Sequence, residues 1–206
     1  ARKIAQHRID LAYEVLGKDT VIFANIQSGN TGSQANALNW ADGLFGKFIV
    51  PPLKMRRDPP PPLPGITIRP AEPQDYEEIA TRCNGFYKGY NLYAPLTANV
   101  LMESLNSSPL EKPIKHCLVA EDPHKNLLAG FQILELSAIM HLEVTNIPLP
   151  VSLANALLRI IPSDRIMREL QIDNFWFIEG SEKAASYLWE LMRYEWRDRA
   201  TFPRLT

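Results

Sequence analysis

The chain has 206 residues, 22 basic and 23 acidic, for a formal net charge of −1, so no whole-molecule field draws it to nucleic acid or to an anionic membrane. Its 46% hydrophobic and 22% charged content is that of a globular protein with enough apolar material for a core, which excludes a disordered polymer. Nothing approaches the roughly 18 uninterrupted apolar residues of a membrane helix, and Cys83 and Cys117, with no Cys-x-x-Cys pair or clustered His, imply neither a disulfide framework nor a metal site.

Reduced thiols in a cytoplasmic compartment are therefore the expectation. The opening Ala1-Arg2-Lys3-Ile4 enters a periodic helix at once, without an initiator Met, as a processed or incompletely observed chain would. From Arg2 to Leu16 the residues Ile4, Ala5, Ile9, Leu11, Ala12, Val15 and Leu16 form one stripe at helical spacing, closed by Gly17 in the position that favours a left-handed cap. Thr20 to Ile26 is β-branched and aromatic and reads as a buried strand. Ser28 to Ser33 is a turn with several potential N-caps, leading into a helix through Ala41, and Leu44 to Val50 is a second strand candidate.

Seven prolines fall between Pro51 and Pro64, with Lys54, Arg56 and Arg57 among them. Prolines at that density remove backbone donors and hold an extended path, so residues 51–65 read as a semi-rigid linker, with a docking ligand for an aromatic groove as the other reading of the same composition. Domains are expected at 1–50 and 66–206 on either side.

After the linker, Gly65 to Ala71 alternates as a strand does, and a helix starts near Pro73 with Tyr76, Ile79, Ala80, Cys83 and Phe86 on one face. A short helix is predicted over Leu96 to Leu105 and a strand over Lys115 to Glu121. The turn Asp122-Pro123-His124-Lys125-Asn126 then joins it to a long strand from Leu127 to Val144, giving an antiparallel hairpin. Val151 to Ile161 reads as a helical insert, Ile166 to Ile178 as a strand, and Ser181 to Thr201 as a long helix with Ala184, Ala185, Leu188, Leu191 and Met192 inside.

That order, with Ile66-Thr67-Ile68-Arg69-Pro70-Ala71 leading to Asp75 at the head of a helix, resembles the opening of a domain of the GNAT N-acetyltransferase superfamily. The piece before the prolines resembles the end of the same fold. Ala1 to Ile4 is similar to the last position of the family's Gly-rich phosphate loop and the start of its central helix. Thr20 to Ile26 resembles the next strand, Asn30-Thr31-Gly32-Ser33 the stretch opening the next helix, and Gly43-Leu44-Phe45 lies near the family's Gly-Phe. Tyr93 to Arg199 looks most like the second half of HOOKLESS-type N-acetyltransferases of plants.

The resemblance implies an α/β (α+β) fold: a mixed, largely antiparallel sheet flanked by helices, in two related domains each partly represented. It also implies acetyl-CoA as co-substrate without a metal, and a small-molecule or peptide amine as acceptor, in a monomer or homodimer with no nucleic-acid or membrane partner. Such chemistry needs the CoA diphosphate held at a helix N-terminus, the thioester polarised and the amine deprotonated. Ala1, Arg2 and Lys3 match the diphosphate turn, and Asn30 and Ser33 match positions beside CoA, although helix capping accounts equally for Asn30 and Ser33 and a solvated first turn for Arg2 and Lys3. No Tyr, Ser or Cys stands among Ala37 to Trp40, where the family often has a Tyr that protonates the departing thiolate, so the catalytic residues stay unassigned.

In the second domain the matching turn is Glu179 to Ala185, with one glycine and with Glu179 and Glu182 bringing negative charge to a phosphate's place. A structural, CoA-free second domain follows. His141 with Glu143, and the trio Asp173, Trp176 and Glu179, are further polar candidates, each equally a solvated strand face. Trp176, Trp189, Trp196, Tyr187 and Tyr194 are expected to pack the second core. The rival to an enzyme is a GNAT-fold binding or regulatory protein that has lost the chemistry. A third arrangement has the two halves complementing each other into one composite domain.

Overall fold

In the computed structural model of the chain, residues 2–43, 46, 53–90, 93–158 and 160–205 are described. Contacts divide it into two units, Ala1–Ile49 and Val50–Thr206.

The first unit holds helix α1 (Arg2–Leu16) and helix α2 (Thr31–Ala37). Gly17, at φ 93°, ends α1 by donating its N–H to the Tyr13 carbonyl at 3.0 Å, as its position predicts. The strand expected over Thr20 to Ile26 does not form. Val21 is 69% exposed and Phe23 63%, and β-branched residues express their preference only when a neighbouring strand covers them. The strand expected over Leu44 to Val50 lies, apart from Gly46, outside the described residues. Among the described residues this unit contains no strand, and Ala37 alone in it is buried.

The second unit is a mixed α/β structure whose sheet is mostly antiparallel. Strand β1 (Thr67–Pro70) leads through a 3₁₀ turn at Pro73–Asp75 into α3 (Tyr76–Phe86), then α4 (Ala98–Asn106), which the Thr97 hydroxyl caps by accepting from the Val100 N–H at 3.2 Å. The hairpin of β2 (Lys115–Glu121) and β3 (Leu127–Leu134) turns on Asp122, whose carboxylate accepts the N–H groups of His124 and Asn126 at 2.8 and 2.9 Å. There follow β4 (Leu142–Glu143), α5 (Leu149–Leu158), β5 (Ile166–Met167), β6 (Glu169–Phe177), α6 (Glu182–Glu195) and β7 (Phe202–Leu205). The main sheet runs β1-β2-β3-β6-β7, antiparallel throughout except that β6 and β7 are parallel, while β4 and β5 form a separate pair.

Helices cover both faces of this sheet. Leu118 and Ala120 of β2 turn to one side, into a core with Phe131, Ile172, Leu188 and Met192 under α6. Cys117 and Val119 turn to the other, with Ile79, Cys83, Leu101 and Trp176 under α3 and α4. Burial on both faces is why β2 is apolar without alternation. The tryptophans behave as expected: Trp176 and Trp196 are buried, and Trp189 packs against the first of these cores.

Several expected elements are cut or end early, among them the helix expected through Ala41, which stops at Ala37. The run from Leu127 to Val144 stops at Leu134, because Glu135 is buried with its carboxylate turned to polar partners and a 3₁₀ turn follows at Leu136–Ala138. The strand Ile166 to Ile178 divides at Arg168, whose carbonyl accepts from Thr201 and Phe202 at 2.8 and 3.2 Å and so begins the junction with β7. The helix from Ser181 ends at Glu195 rather than Thr201, since the chain must turn back to lay β7 beside β6. Pro203 hides β7 in the sequence, and an edge strand is where a proline is tolerated.

Residues 53–64, the described part of the proline-rich stretch, contain no helix or strand, bend at Arg57 and Asp58, and are strapped to α6. The Arg193 guanidinium donates to the Lys54 carbonyl from Nε at 2.9 Å, the Arg56 N–H donates to the Arg193 carbonyl at 3.1 Å, and the Arg56 guanidinium pairs with Glu190.

Candidate functional site

In the parallel crossover β6–α6–β7 a helix N-terminus follows a strand across a tight turn. Pairs between β6 and β7 run from Glu169↔Phe202 to Ile172↔Leu205, and β6 continues to Phe177. Beyond that register the strand bulges: Gly130↔Trp176 is followed by Gln132↔Asp173, so β6 carries an extra residue where Asn174 sits at φ 51°. Tyr87, the C-cap of α3, holds the bulge by donating its hydroxyl to the Phe175 carbonyl at 2.8 Å, and burial pushes that phenol up to about 12.

At the turn, Gly180 takes φ 80°, a conformation that costs a glycine nothing, and the Ser181 N–H donates to the Ile178 carbonyl at 3.0 Å. Unsatisfied amides and the dipole of α6 favour an anion there. The anion in place is the protein's own: the Gly180 N–H donates to Glu182 Oε1 at 3.3 Å. Glu179 is exposed beside it and the turn holds a single glycine, so two carboxylates stand where this helix start would receive an anion.

The other anticipated residues lie in the first unit. Ala1 is outside the described residues, Arg2 begins α1, and Lys3 is exposed in its first turn. Asn30 caps α2, its side chain accepting the Ser33 N–H at 3.0 Å. Among the described residues no hydrogen bond or ion pair joins α1 to α2, so Lys3 and the Asn30–Ser33 pair are not brought into one polar network. In the second unit, His141 and Glu143 are both exposed and make no hydrogen bond with each other. Asp173 accepts from the Gln171 amide at 3.1 and 3.2 Å, and Trp176 is buried against Gly130.

Two polar clusters stand out. Asp75, the acid that opens α3, chelates Arg69 at 2.6 and 3.0 Å and also accepts the Glu72 N–H at 2.7 Å, while Glu121 holds the Arg69 Nε at 2.8 Å. The Arg69 guanidinium keeps the Asp75 carboxyl below its usual range against the opposing effect of burial. Sequence reasoning found this aspartate and missed the second cluster. Glu135, 6% exposed, puts one oxygen on His116 Nε2 at 2.7 Å and on the Arg199 guanidinium, and both partners pack on Trp196, the imidazole at 4.9 Å and the guanidinium at 4.3 Å. His116, Trp196 and Arg199 help line a cleft of about 390 Å³ with Arg69, Tyr76 and Lys115. It lies at the end of the sheet away from the β6–α6 turn, where β2 begins and α6 ends. The only sequence signal was a charged residue closing an apolar strand.

No protein-family model matches this sequence. No curated protein matches it either. Among solved structures it is similar to the ribosomal-protein-alanine N-acetyltransferase of Brucella melitensis biovar Abortus 2308, with 15% identity, 68% of this chain and 78% of that one covered, and a TM-score of 0.40. An acetyltransferase of Clostridium acetobutylicum solved with acetyl-CoA gives 14% identity, coverages of 68% and 80%, and a TM-score of 0.42. The N-myristoyltransferase of Saccharomyces cerevisiae with bound myristoyl-CoA gives 13%, 96% of this chain but 39% of that one, and 0.44. Scores this low carry no weight beside the strand order and register above.

Proposed function

We propose that the chain is part of an acyl-CoA-dependent N-acetyltransferase that moves an acetyl group from acetyl-CoA to an amine, with CoA held outside the β6–α6 turn. The observation that supports it is the topology of the second unit: four antiparallel strands, a bulge at Asn174, and a parallel β6–α6–β7 crossover, built from the residues whose order resembles a GNAT domain. On this reading the second unit is the structural copy of a tandem pair, and the first supplies the CoA contacts through Ala1, Arg2, Lys3, Asn30 and Ser33. Holding the diphosphate is the work of those backbone N–H groups and cations; no catalytic residue is assigned. The acceptor is a small amine, a peptide N-terminus or a lysine.

A second reading, a GNAT-fold binding or regulatory protein without activity, draws on the Glu182 carboxylate at the Gly180 N–H. Acetyl-CoA at millimolar concentration separates the two. A rise in melting temperature that is retained in Glu182→Gln and lost in Lys3→Glu supports the transferase, whereas no rise in any form of the chain leaves the inactive reading standing.

A further inference from the structure

Where α6 ends and the chain turns back toward β7, a cleft of about 720 Å³ opens between that turn, the strap at residues 54–57 and the segment around Ile160 to Arg168. Five cations line it, Lys54, Arg56, Arg57, Arg168 and Arg197, against the single carboxylate of Asp198. Two of the five are neutralised: Arg56 by Glu190, and Arg168 by Asp164 at 2.7 Å. Arg197 has Asp198 at 3.9 Å, donates to the Tyr194 carbonyl at 2.6 Å and lies over the Tyr194 ring at 4.0 Å, while no ion pair among the described residues involves Lys54 or Arg57. Two cations without an ion-pair partner, Lys54 and Arg57, thus line one concavity with the weakly paired Arg197, in a chain whose net charge is −1.

Cations lining one concavity raise its positive potential, which favours a polyanion there. Arginine forks match phosphate oxygens in pairs, and the volume lies in the range of small-molecule sites. We propose that this cleft binds a ligand carrying at least two phosphate groups. The same chemistry is offered by a free diphosphate and by a phosphorylated lipid headgroup. The lipid source has a specific feature beside it: α5 contains no charged residue, exposes Leu149, Leu153 and Leu157 at 77%, 70% and 84%, and ends two residues before Ile160 of the cleft wall. An apolar helix next to a basic site is the arrangement that lets a protein lie on a membrane while gripping a headgroup. The proposal is independent of acetyl transfer.

The test uses the whole chain at about 0.15 M salt, where exposed charges more than about 8 Å apart are screened. Sodium pyrophosphate is titrated calorimetrically, and flotation is measured with phosphatidylcholine vesicles with and without phosphatidylinositol bisphosphate. Lys54→Glu/Arg57→Glu is expected to weaken binding roughly tenfold or more, while Lys88→Glu/Lys112→Glu, the same charge change at exposed lysines elsewhere, leaves it unchanged. Binding of pyrophosphate alone identifies a soluble ligand. Flotation that needs the bisphosphate and is lost in Leu153→Asp/Leu157→Asp identifies the lipid. Equal weakening by the two charge variants, or binding of neither probe, overturns the site. Should Lys54→Glu/Arg57→Glu fail to fold, binding by the native chain that does not weaken as salt is raised overturns it as well.

Discussion

Gly130 shows how narrowly one residue's size is set. A Cβ built there would stand 2.9 Å from the Trp176 ring, which is 1% exposed and has no room to retreat. Gly130→Ala is expected to destabilise the second unit by about 1–3 kcal/mol, read as a lower denaturant midpoint with an unchanged m-value, because overpacking forces a buried ring off its rotamer. Asp75 makes a prediction about pH. Its folded carboxyl ionises below the ordinary value near 3.9, so the unfolded chain takes up the proton first as pH falls. The pair's contribution is fully present above the ordinary carboxylate range and is lost as pH falls through the lowered value. Asp75→Asn should cost about 2 kcal/mol at neutral pH and flatten the acid limb of stability against pH; an acid limb identical to that of the native chain would count against the pair. Of the two polar clusters, the sequence pointed only to Asp75 of this one, at a strand-to-helix junction; its pairing with Arg69 and, across the sheet, of Arg69 with Glu121 came from the structure. The cluster at Glu135 was illegible because its partners stand 19 and 64 residues away, and no local pattern joins them.

Among elements, helix α6 and the proline-rich strap depend on each other. Prolines keep residues 53–64 out of helix and sheet, but their composition is silent on what the path rests against, and the answer is Arg193 and Glu190 on α6. Arg193→Ala removes the donor to the Lys54 carbonyl and the pair with Glu190. We expect it to lower stability by roughly 1 kcal/mol and to speed proteolysis between Leu53 and Pro64, with β2 and β3 unaffected. Proteolysis at the native rate would mean that the strap is held by its prolines alone. Strands were read less well than helices for a related reason. Thr20 to Ile26 has the composition of a strand and no partner, whereas Phe202 to Leu205 contains a proline and is a strand because β6 lies beside it.

For the molecule as a whole, protection follows burial. The described core lies in the second unit, between α6 on one face of the sheet and α3 with α4 on the other, while Ile4, Leu11, Val15 and Leu16 of α1 remain 49–70% exposed. Amide exchange is therefore expected to be slowest in β2, β3 and the centre of β6, and fast in α1 and α2, by orders of magnitude at neutral pH. Equal protection of α1 and β3 would show that the apolar face of α1 is covered in solution. No helix among the described residues is long and apolar enough to cross a membrane.

By itself the sequence determined what depends on near neighbours: the span of α1, the limits of β2, the Asp122 turn and the inner face of α3. Periodicity, capping and local charge act over a few residues, so they are written in the order of the chain. Tertiary structure alone decided which strands pair, where β3 and β6 are cut, that β7 exists, and that Glu135 joins His116 to Arg199 while Lys54, Arg57 and Arg197 face one cleft. Those outcomes rest on contacts between segments far apart in sequence, whose energies come from burial and pairing that no single segment contains.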